Sequence, residues 1–153
     1  MYRVYTMGGN KLDIACKEHK ITVDEFLSIE SQMDDMDETS VEQAEKALSN
    51  QICSVAAFNG NEIVGIGRLL GDASIYWFLA DVWVLPEYQG KGIGRQIVNW
   101  LIQYVKDNAI KKTSVSVCLM SAQGKEGFYE KLGFRCRPHE YEGSGMELEL
   151  DIE

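Results

Sequence analysis

The spacing of apolar residues divides the chain into strand and helix segments. Short apolar runs predict strands at YRVYTM, ICSVAAF, IVGIGRLLG and TSVSVCLM, and the alternating GMELELDI predicts another at the end of the sequence. The turn NGNE between the second and third runs makes them a hairpin. IYWFLADVWVLP is apolar and aromatic almost throughout, which is typical of a strand buried on both faces.

Helix signals lie between these runs. TVDEFLSIESQM begins with a capping box of Thr22 and Glu25, and SVEQAEKALSN begins with one of Ser40 and Gln43. GKEGFYEKL predicts a short helix that Gly133 closes. A longer helix is predicted where apolar residues return every three or four positions, at Ile93, Ile97, Trp100, Leu101, Tyr104 and Val105. An early hairpin followed by strand–helix units indicates the α/β (α+β) class.

Composition and charge narrow the function classes. With 153 residues and 45% apolar content the chain can bury one core, so we expect a single domain over residues 1–153. The cysteines form no C-x-x-C pair and the histidines are only two, which predicts buried, reduced thiols and no metal site. A net charge of -9 argues against nucleic-acid binding and leaves room for a cationic substrate. Without a signal peptide or a membrane-spanning run, a cytoplasmic protein with no membrane partner is expected.

Glycines occupy alternate positions directly before the long predicted helix, at Gly90, Gly92 and Gly94. Glycine disfavours a helix by roughly 0.5–1 kcal/mol relative to alanine, so the cluster indicates a close backbone approach to a ligand, for which phosphate is the natural candidate. A Walker A loop does not fit, because Gly92 follows Lys91 where Ser or Thr is needed. The dinucleotide spacing G-x-G-x-x-G does not fit either, because its last glycine falls on Arg95 or Ile97. A nucleotide-binding protein is therefore disfavoured.

Two motifs in this half of the chain are family signatures. The spacing Q-x-x-G-x-G from Gln89, preceded by VWVLPEY and followed by a helix, resembles the acyl-CoA binding motif of the GNAT superfamily of N-acetyltransferases. GFYEKLGFRCRP is similar to the family's C-terminal motif, in which a tyrosine on a short helix precedes a Lys-Leu-Gly-Phe turn. The motifs stand in the family's order and cover the chain from Asp81 to Arg137. Ala122 stands where many members carry a cofactor-contacting asparagine, so that contact is not carried over.

The resemblance implies a fold and a donor. The fold is a mixed, mostly antiparallel central sheet flanked by helices, with splayed central strands. The donor is acetyl-CoA, with its pyrophosphate at the helix start, where unpaired N–H groups and a partial positive charge favour anions. The implied contacts of this loop are Gln89, Gly90, Lys91, Gly92, Ile93, Gly94 and Arg95, of which the two charged residues are equally compatible with a solvated surface. The pantetheine arm is expected along the backbone, with side chains in the core, at Val82, Trp83 and Val84.

The implied reaction is direct transfer of acetyl from acetyl-CoA to a primary amine, through a tetrahedral intermediate that expels the coenzyme A thiolate. Tyr129 matches the family's position for the acid that protonates this thiolate, and the alternative is a packing tyrosine beside Phe128. Asp81 is a candidate to bind or deprotonate the amine, because a carboxylate is hard to explain as core filler, and a structural hydrogen bond is equally compatible. The other acid–base candidates are Glu25, Glu30, Asp34, Asp35, Asp37, Glu38 and His139.

The acceptor is the least specified part of the function. The acidic segment QMDDMDETS follows the first predicted helix, in a region that by resemblance helps to wall the acceptor site. Its carboxylates would attract a cationic amine, and a solvated loop explains them as well. A small-molecule amine is the predicted partner, and the sequence leaves open whether it is cationic, whether a protein amine serves instead, and whether the chain forms a homodimer. A non-catalytic acyl-CoA-binding regulatory module is the alternative to an enzyme.

Overall fold

The computed structural model describes residues 12–34 and 38–152, and these residues form five strands and four helices. The strands are β1 Ile14–Glu18, β2 Cys53–Asn59, β3 Glu62–Gly71, β4 Tyr76–Val84 and β5 Ser116–Leu119. The helices are α1 Val23–Glu30, α2 Val41–Ser49, α3 Ile93–Asn108 and α4 Glu126–Glu130, with a short 3-10 turn at Pro86–Tyr88. The predicted strand YRVYTM lies outside the described residues. The apolar pattern does not predict β1, because only Ile14 and Cys16 alternate within it.

The strands form one sheet in the order β1-β2-β3-β4-β5. Neighbours from β1 to β4 pair antiparallel, and β4 pairs parallel with β5. Gly60 and Asn61 join β2 to β3, and the φ of Gly60 is +60°, which glycine adopts without strain. The parallel step requires a crossover connection, which α3 supplies. These observations confirm the predicted mixed, mostly antiparallel sheet flanked by helices.

Both predicted capping boxes are present and fix the starts of α1 and α2. The Thr22 hydroxyl accepts a hydrogen bond from the Glu25 amide, and the Glu25 carboxylate accepts one from the Thr22 amide at 2.8 Å. Ser40 and Gln43 form the same reciprocal pair at 3.1 and 3.2 Å. Each box satisfies amides that a helix start leaves unpaired, so these two short helices begin where the sequence predicts.

The helices cover opposite faces of the sheet. On one face α1 and α2 enclose a buried apolar cluster of Ile21, Phe26, Ile29, Ala44, Ala56, Ile66 and Leu85. On the other face lies α3, because Gly65 and Gly67 alternate with Ile66 along β3 and face the side chains of Ile97 and Leu101. The two glycines allow the helix to approach the strand backbone closely, and this contact fixes α3 over the middle of the sheet.

The cysteines carry free thiols. Burial raises the pKa of Cys16 to about 11 and that of Cys53 to about 12, so both thiols stay protonated at neutral pH. The prediction of unpaired cysteines is therefore confirmed. The prediction that they are buried is confirmed for Cys53, whereas Cys16 and Cys118 are half-buried and Cys136 is exposed.

Two compact units divide the chain after Met120. The first contains the sheet and the helices α1 to α3, and the second contains α4. A single domain over residues 1–153 stays a prediction.

The predicted terminal strand GMELELDI does not form. Its residues have no strand pairing, and the apolar side chains of Met146, Leu148 and Leu150 are exposed. Alternation specifies which side chains share a face, but a strand also needs a partner edge. Within the second unit the pairing described is a single bridge between His139 and Glu142.

The close approach of α3 to β3 predicts the effect of one added methyl group. A Cβ at Gly67 would lie 2.6 Å from Cγ2 of Ile97 and 3.1 Å from Cδ1 of Leu101, so Gly67→Ala should lower the free energy of unfolding by about 1–3 kcal/mol. Gly127→Ala is the matched control, because Gly127 lies in α4 with open space around its Cβ position and should tolerate alanine. Urea unfolding of both variants measures the difference. Equal stability of Gly67→Ala and the parent would contradict the close contact.

Candidate active site

The central strand β4 loses its β5 partner partway along its length. Pairing of the two strands ends at Leu79 with Leu119, while β4 continues to Val84 beside β3. Beyond Leu79 the backbone groups of β4 that face β5 have no strand partner among the described residues. The predicted splaying of the central strands is thus present. The prediction that β4 is buried on both faces is wrong for the second half of the strand. Trp77 and Leu79 are buried, whereas the residues after Leu79 are half-buried.

A β-bulge follows directly after this separation. The register between β3 and β4 shifts by one residue, so that Gly67 faces both Asp81 and Val82. The φ of Asp81 is +49°, in the left-handed region that few non-glycine residues occupy and that aspartate tolerates better than most. A bulge bends its strand, so it sets the direction of the backbone groups on the unpaired edge of β4 in the residues that follow, Val82, Trp83 and Val84.

The carboxylate of Asp81 is paired with a buried arginine. Arg68, on β3, is 7% exposed, and its Nε donates to Oδ2 of Asp81 at 2.5 Å. Its Nη1 donates to the carbonyl of Ala47 at 3.2 Å, and its guanidinium carbon lies 5.4 Å from the ring centre of Phe26. The structural hydrogen bond that the sequence left open for Asp81 is therefore present, and sequence reasoning missed the residue that makes it. The available signal is a single arginine in the otherwise apolar IVGIGRLLG.

The ion pair does not use the whole carboxylate of Asp81. Its side chain is 21% exposed, and Oδ1 accepts no hydrogen bond from the residues that the structure describes. A carboxylate oxygen in this state can accept a hydrogen bond from an amine or from water. The geometry therefore permits Asp81 to combine a structural bond through one oxygen with a ligand contact through the other.

The glycine loop presents free amides at the start of α3. The φ values of Gly90 and Gly92 are +72° and +80°, and Gly92 is the N-cap residue without a side-chain cap. The first turn closes with the bond from the Gln96 amide to the Gly92 carbonyl at 3.2 Å. The preceding amides donate to no acceptor within residues 12–34 and 38–152, and they belong to Ile93, Gly94 and Arg95. Unpaired amides at a helix start form a binding site for an anion.

The side chains of this loop divide into ordering and exposed groups. Gln89 orders the loop, because its Nε2 donates to the Val84 carbonyl at 3.0 Å. The Lys91 ammonium donates to the Glu87 carbonyl at 2.6 Å and lies 5.1 Å from the ring centre of Tyr88. Arg95 is exposed. The cationic side chain turned toward solvent at this helix start is therefore Arg95, whereas Lys91 folds back onto the loop.

The side chains after the bulge belong to the packing of the first unit. The ring of Trp83 lies 5.1 Å from that of Phe26 and packs against the apolar cluster under α1 and α2. Val82 and Val84 are half-buried. That these residues offer a ligand their backbone rather than their side chains stays a prediction.

Tyr129, in α4 of the second unit, is an aromatic packing residue with a polar end. Its ring makes edge contacts with Phe128 and Phe134, at centroid distances of 4.9 and 5.8 Å. Burial raises the pKa of Tyr129 above its ordinary value of 10.0. The phenol is therefore fully protonated at neutral pH, which is the form that a proton donor needs. The packing alternative and the acid alternative are thus compatible in one residue.

Two acidic residues of α1 that are candidate bases in the sequence have structural roles. Glu25 caps the helix and lies 3.0 Å from Nε2 of His19. Burial raises its pKa, but hydrogen bonds from Thr22 and His19 outweigh that effect, and the pKa of Glu25 lies below its usual range. Glu30 is buried and accepts hydrogen bonds from the amide and hydroxyl of Thr39, at 3.2 and 2.5 Å. The Glu25 carboxylate therefore stabilises the start of α1, and the Glu30 carboxylate stabilises the segment that follows its end.

The remaining acid–base candidates are His139 and four residues of the acidic segment. His139 pairs with Glu142 at 2.7 Å inside the second unit. Asp34 and Glu38 are exposed, which agrees with the solvated-loop explanation for these two. Asp35 and Asp37 lie outside the described residues.

Within residues 12–34 and 38–152, no three His, Cys, Asp or Glu side chains converge as a metal site would require. In the same residues no helix has the length and apolar content needed to cross a bilayer.

A family model of acetyltransferases, the GNAT family, matches residues 19–134. The chain belongs to this family. Its fold is similar to a protein of unknown function and probable acetyltransferase from meticillin-resistant Staphylococcus aureus, with 26% identity, a TM-score of 0.76, and coverage of 90% of this chain and 99% of that one. It is also similar to a GNAT family acetyltransferase from Streptococcus pneumoniae, with 28% identity, a TM-score of 0.68, and coverage of 80% and 88%.

Among curated relatives, an uncharacterized N-acetyltransferase of Prochlorococcus marinus is 28% identical over 102 residues, which are 64% of this chain and 54% of that protein. The chain therefore spans about half the length of this relative. Membership in the family places the chain among acyltransferases, and acetyl-CoA is the cosubstrate of the family.

The free amides of α3 predict how a side chain at Gly92 affects donor binding. A Cβ there meets no protein atom within 4 Å, so a branched side chain would fill the space that a phosphate needs. Gly92→Val should therefore weaken acetyl-CoA binding by about tenfold or more, measured by calorimetry. Gly60→Val is the control, because Gly60 has a similarly positive φ of +60° and open space but lies in the β2–β3 turn. Equal losses in both variants would assign the effect to backbone strain.

Proposed function

We propose that this protein is an acetyl-CoA-dependent N-acetyltransferase that moves an acetyl group to a primary amine by direct attack. The observation that carries the proposal is the separation of β4 from β5 beyond Leu79, directly before a helix start with free amides. These two features offer the donor a strip of backbone hydrogen-bonding groups and an anion site in continuous sequence. A cytoplasmic location and the absence of nucleic-acid partners stay predictions.

Backbone groups carry most of the proposed donor binding. The pyrophosphate binds the amides of Ile93, Gly94 and Arg95, and the exposed Arg95 side chain adds positive charge. The glycines at positions 90, 92 and 94 leave space for this approach, and Gln89 holds the loop by its bond to the Val84 carbonyl. The pantetheine amides pair with the free backbone groups after the bulge, as an added strand would.

The proposed chemistry needs two proton transfers. The neutral amine attacks the thioester carbonyl, the tetrahedral intermediate collapses, and the C–S bond breaks with the electron pair on sulfur. Tyr129 donates its hydroxyl proton to this thiolate, a role that its protonated state at neutral pH supports. Asp81 holds the amine through Oδ1 or, through water, takes the proton that the amine loses.

An acceptor screen tests the function as a whole. The protein is mixed with acetyl-CoA and single primary amines from the amino sugar, polyamine, arylalkylamine, amino acid and protein-amine classes, and thiol release is followed with time. The proposal expects release that depends on one class of amine. Binding of acetyl-CoA without amine-dependent release from any class, protein amines included, would favour a non-catalytic acyl-CoA-binding module instead.

The acid assignment predicts the effect of removing one hydroxyl group. Tyr129→Phe keeps the packing against Phe128 and Phe134 and should lower kcat by about 10²–10⁴-fold, with little change in acetyl-CoA affinity. Tyr141→Phe is the matched control, because Tyr141 is 86% exposed in the same unit and should leave kcat unchanged. Steady-state kinetics, under conditions where acetyl transfer limits the rate, measures kcat for both variants and the parent. Normal turnover in Tyr129→Phe would leave water as the acid.

A cationic acceptor is the finer proposal, based on the acidic segment after α1. If its charges attract the amine, Asp34→Asn combined with Asp35→Asn should raise the acceptor KM, and added salt should raise it in the parent protein. The measurement compares a polyamine with an amine of neutral body. Equal responses of the two amines would show that the segment is a solvated loop without influence on the acceptor.

A further inference from the structure

Arg68 stands in an unusual place for a charged residue. It lies on β3 between Gly67 and Leu69, on the face covered by α1 and α2, and is 7% exposed. A buried charge is costly unless it is paired and hydrogen-bonded, and the stabilising gain of such a pair over apolar packing is often small. Stability alone therefore does not explain why an arginine occupies this position.

Asp81 is the second unfavourable feature of the same contact. A non-glycine residue at a φ of +49° carries strain, and such strain persists only where surrounding contacts hold it. The contact that holds Asp81 is the bond from Nε of Arg68 to its Oδ2 at 2.5 Å. Two features that are each unfavourable alone are thus joined by one ion pair.

The arginine is anchored independently of β4. Its Nη1 donates to the carbonyl of Ala47 in the last turn of α2, and its guanidinium lies against the ring of Phe26 in α1. A helix C-terminus favours a cation, which adds to this anchoring. Arg68 therefore presents a fixed donor to the bulge, and the bulge residue adapts to it.

We propose that Arg68 is a positioning residue that acts through Asp81. Its ion pair holds the β4 bulge at positive φ and thereby fixes the backbone of Val82, Trp83 and Val84 in the conformation that binds the acyl donor. The inference rests on the proposed function for the identity of that donor, and on the described contacts alone for the coupling between Arg68 and the bulge.

Calorimetric titration with acetyl-CoA tests this coupling by loss and rescue. Arg68→Gln keeps a polar side chain but removes the charge and should weaken acetyl-CoA binding by about tenfold. Adding Asp81→Gly to Arg68→Gln should restore the affinity to within about threefold of the parent, because glycine adopts the positive φ without any partner. Arg135→Gln, at an exposed arginine of the second unit, is the control and should bind as the parent does.

Rescue separates positioning from a general loss of stability. The double variant lacks both charges, so a structural role of the pair would leave it no better than Arg68→Gln, and thermal unfolding of each variant reports stability separately. Where Arg68→Gln does not fold, Arg68→Lys takes its place, since lysine keeps the charge but loses the guanidinium geometry. Unchanged affinity in the arginine variant, or a loss that Asp81→Gly does not restore, overturns the proposal.

Amide hydrogen exchange of the ligand-free protein makes the test independent of the donor. The amides from Val82 to Leu85 should exchange faster in Arg68→Gln than in the parent and return to the parent rate in the double variant. If the parent does not bind acetyl-CoA, the proposed function fails, and this exchange pattern still decides the inference. Exchange rates that do not differ between the parent and Arg68→Gln overturn the inference while leaving the proposed function in place.

Discussion

The end of β4–β5 pairing at Leu79 is the constraint on which the rest of the site depends. Parallel strands that stay paired satisfy each other's backbone groups and leave nothing for a ligand. Here β4 keeps its β3 partner to Val84 while β5 ends at Leu119, so one edge of β4 is left with free groups. Unpaired backbone groups are costly unless water or a ligand satisfies them, which makes this edge a natural place for an extended ligand.

The bulge and the glycine loop follow the unpaired edge of β4 in the sequence and continue the candidate site from the strand to α3. At Asp81 the strand bends, and within a few residues the 3-10 turn at Pro86–Tyr88 leads into the free amides of α3. The close contact of α3 with Gly65 and Gly67 fixes where those amides lie relative to β4. In a protein of net charge -9, we expect the free amides and the positive end of the α3 dipole to attract an anion. The position of the candidate site is therefore set by the way in which β4, the glycine loop and α3 are connected.

Local signals in the sequence predict several of the helices and strands and the position of the glycine loop. The capping boxes at Thr22 and Ser40 begin α1 and α2, the aromatic run forms the strand β4, and the glycine spacing precedes α3, each within a few residues. Arg68 could not be predicted in the same way, because its partner stands thirteen residues away on another strand and their meeting depends on register. GMELELDI has the local alternation of a strand but does not form one. A strand also needs a partner edge, and the local sequence does not specify that edge.

Hydrogen exchange with and without acetyl-CoA tests the central claim most directly, because it maps the donor onto individual amides. We expect slower exchange on ligand addition in two segments, the half of β4 from Val82 to Val84 and the start of α3 from Ile93 to Arg95. The amides of β2, which lies two strands away from β4, should be unaffected. Protection confined to other segments, with the second half of β4 unchanged, would contradict the assignment of the splayed strand as the donor site.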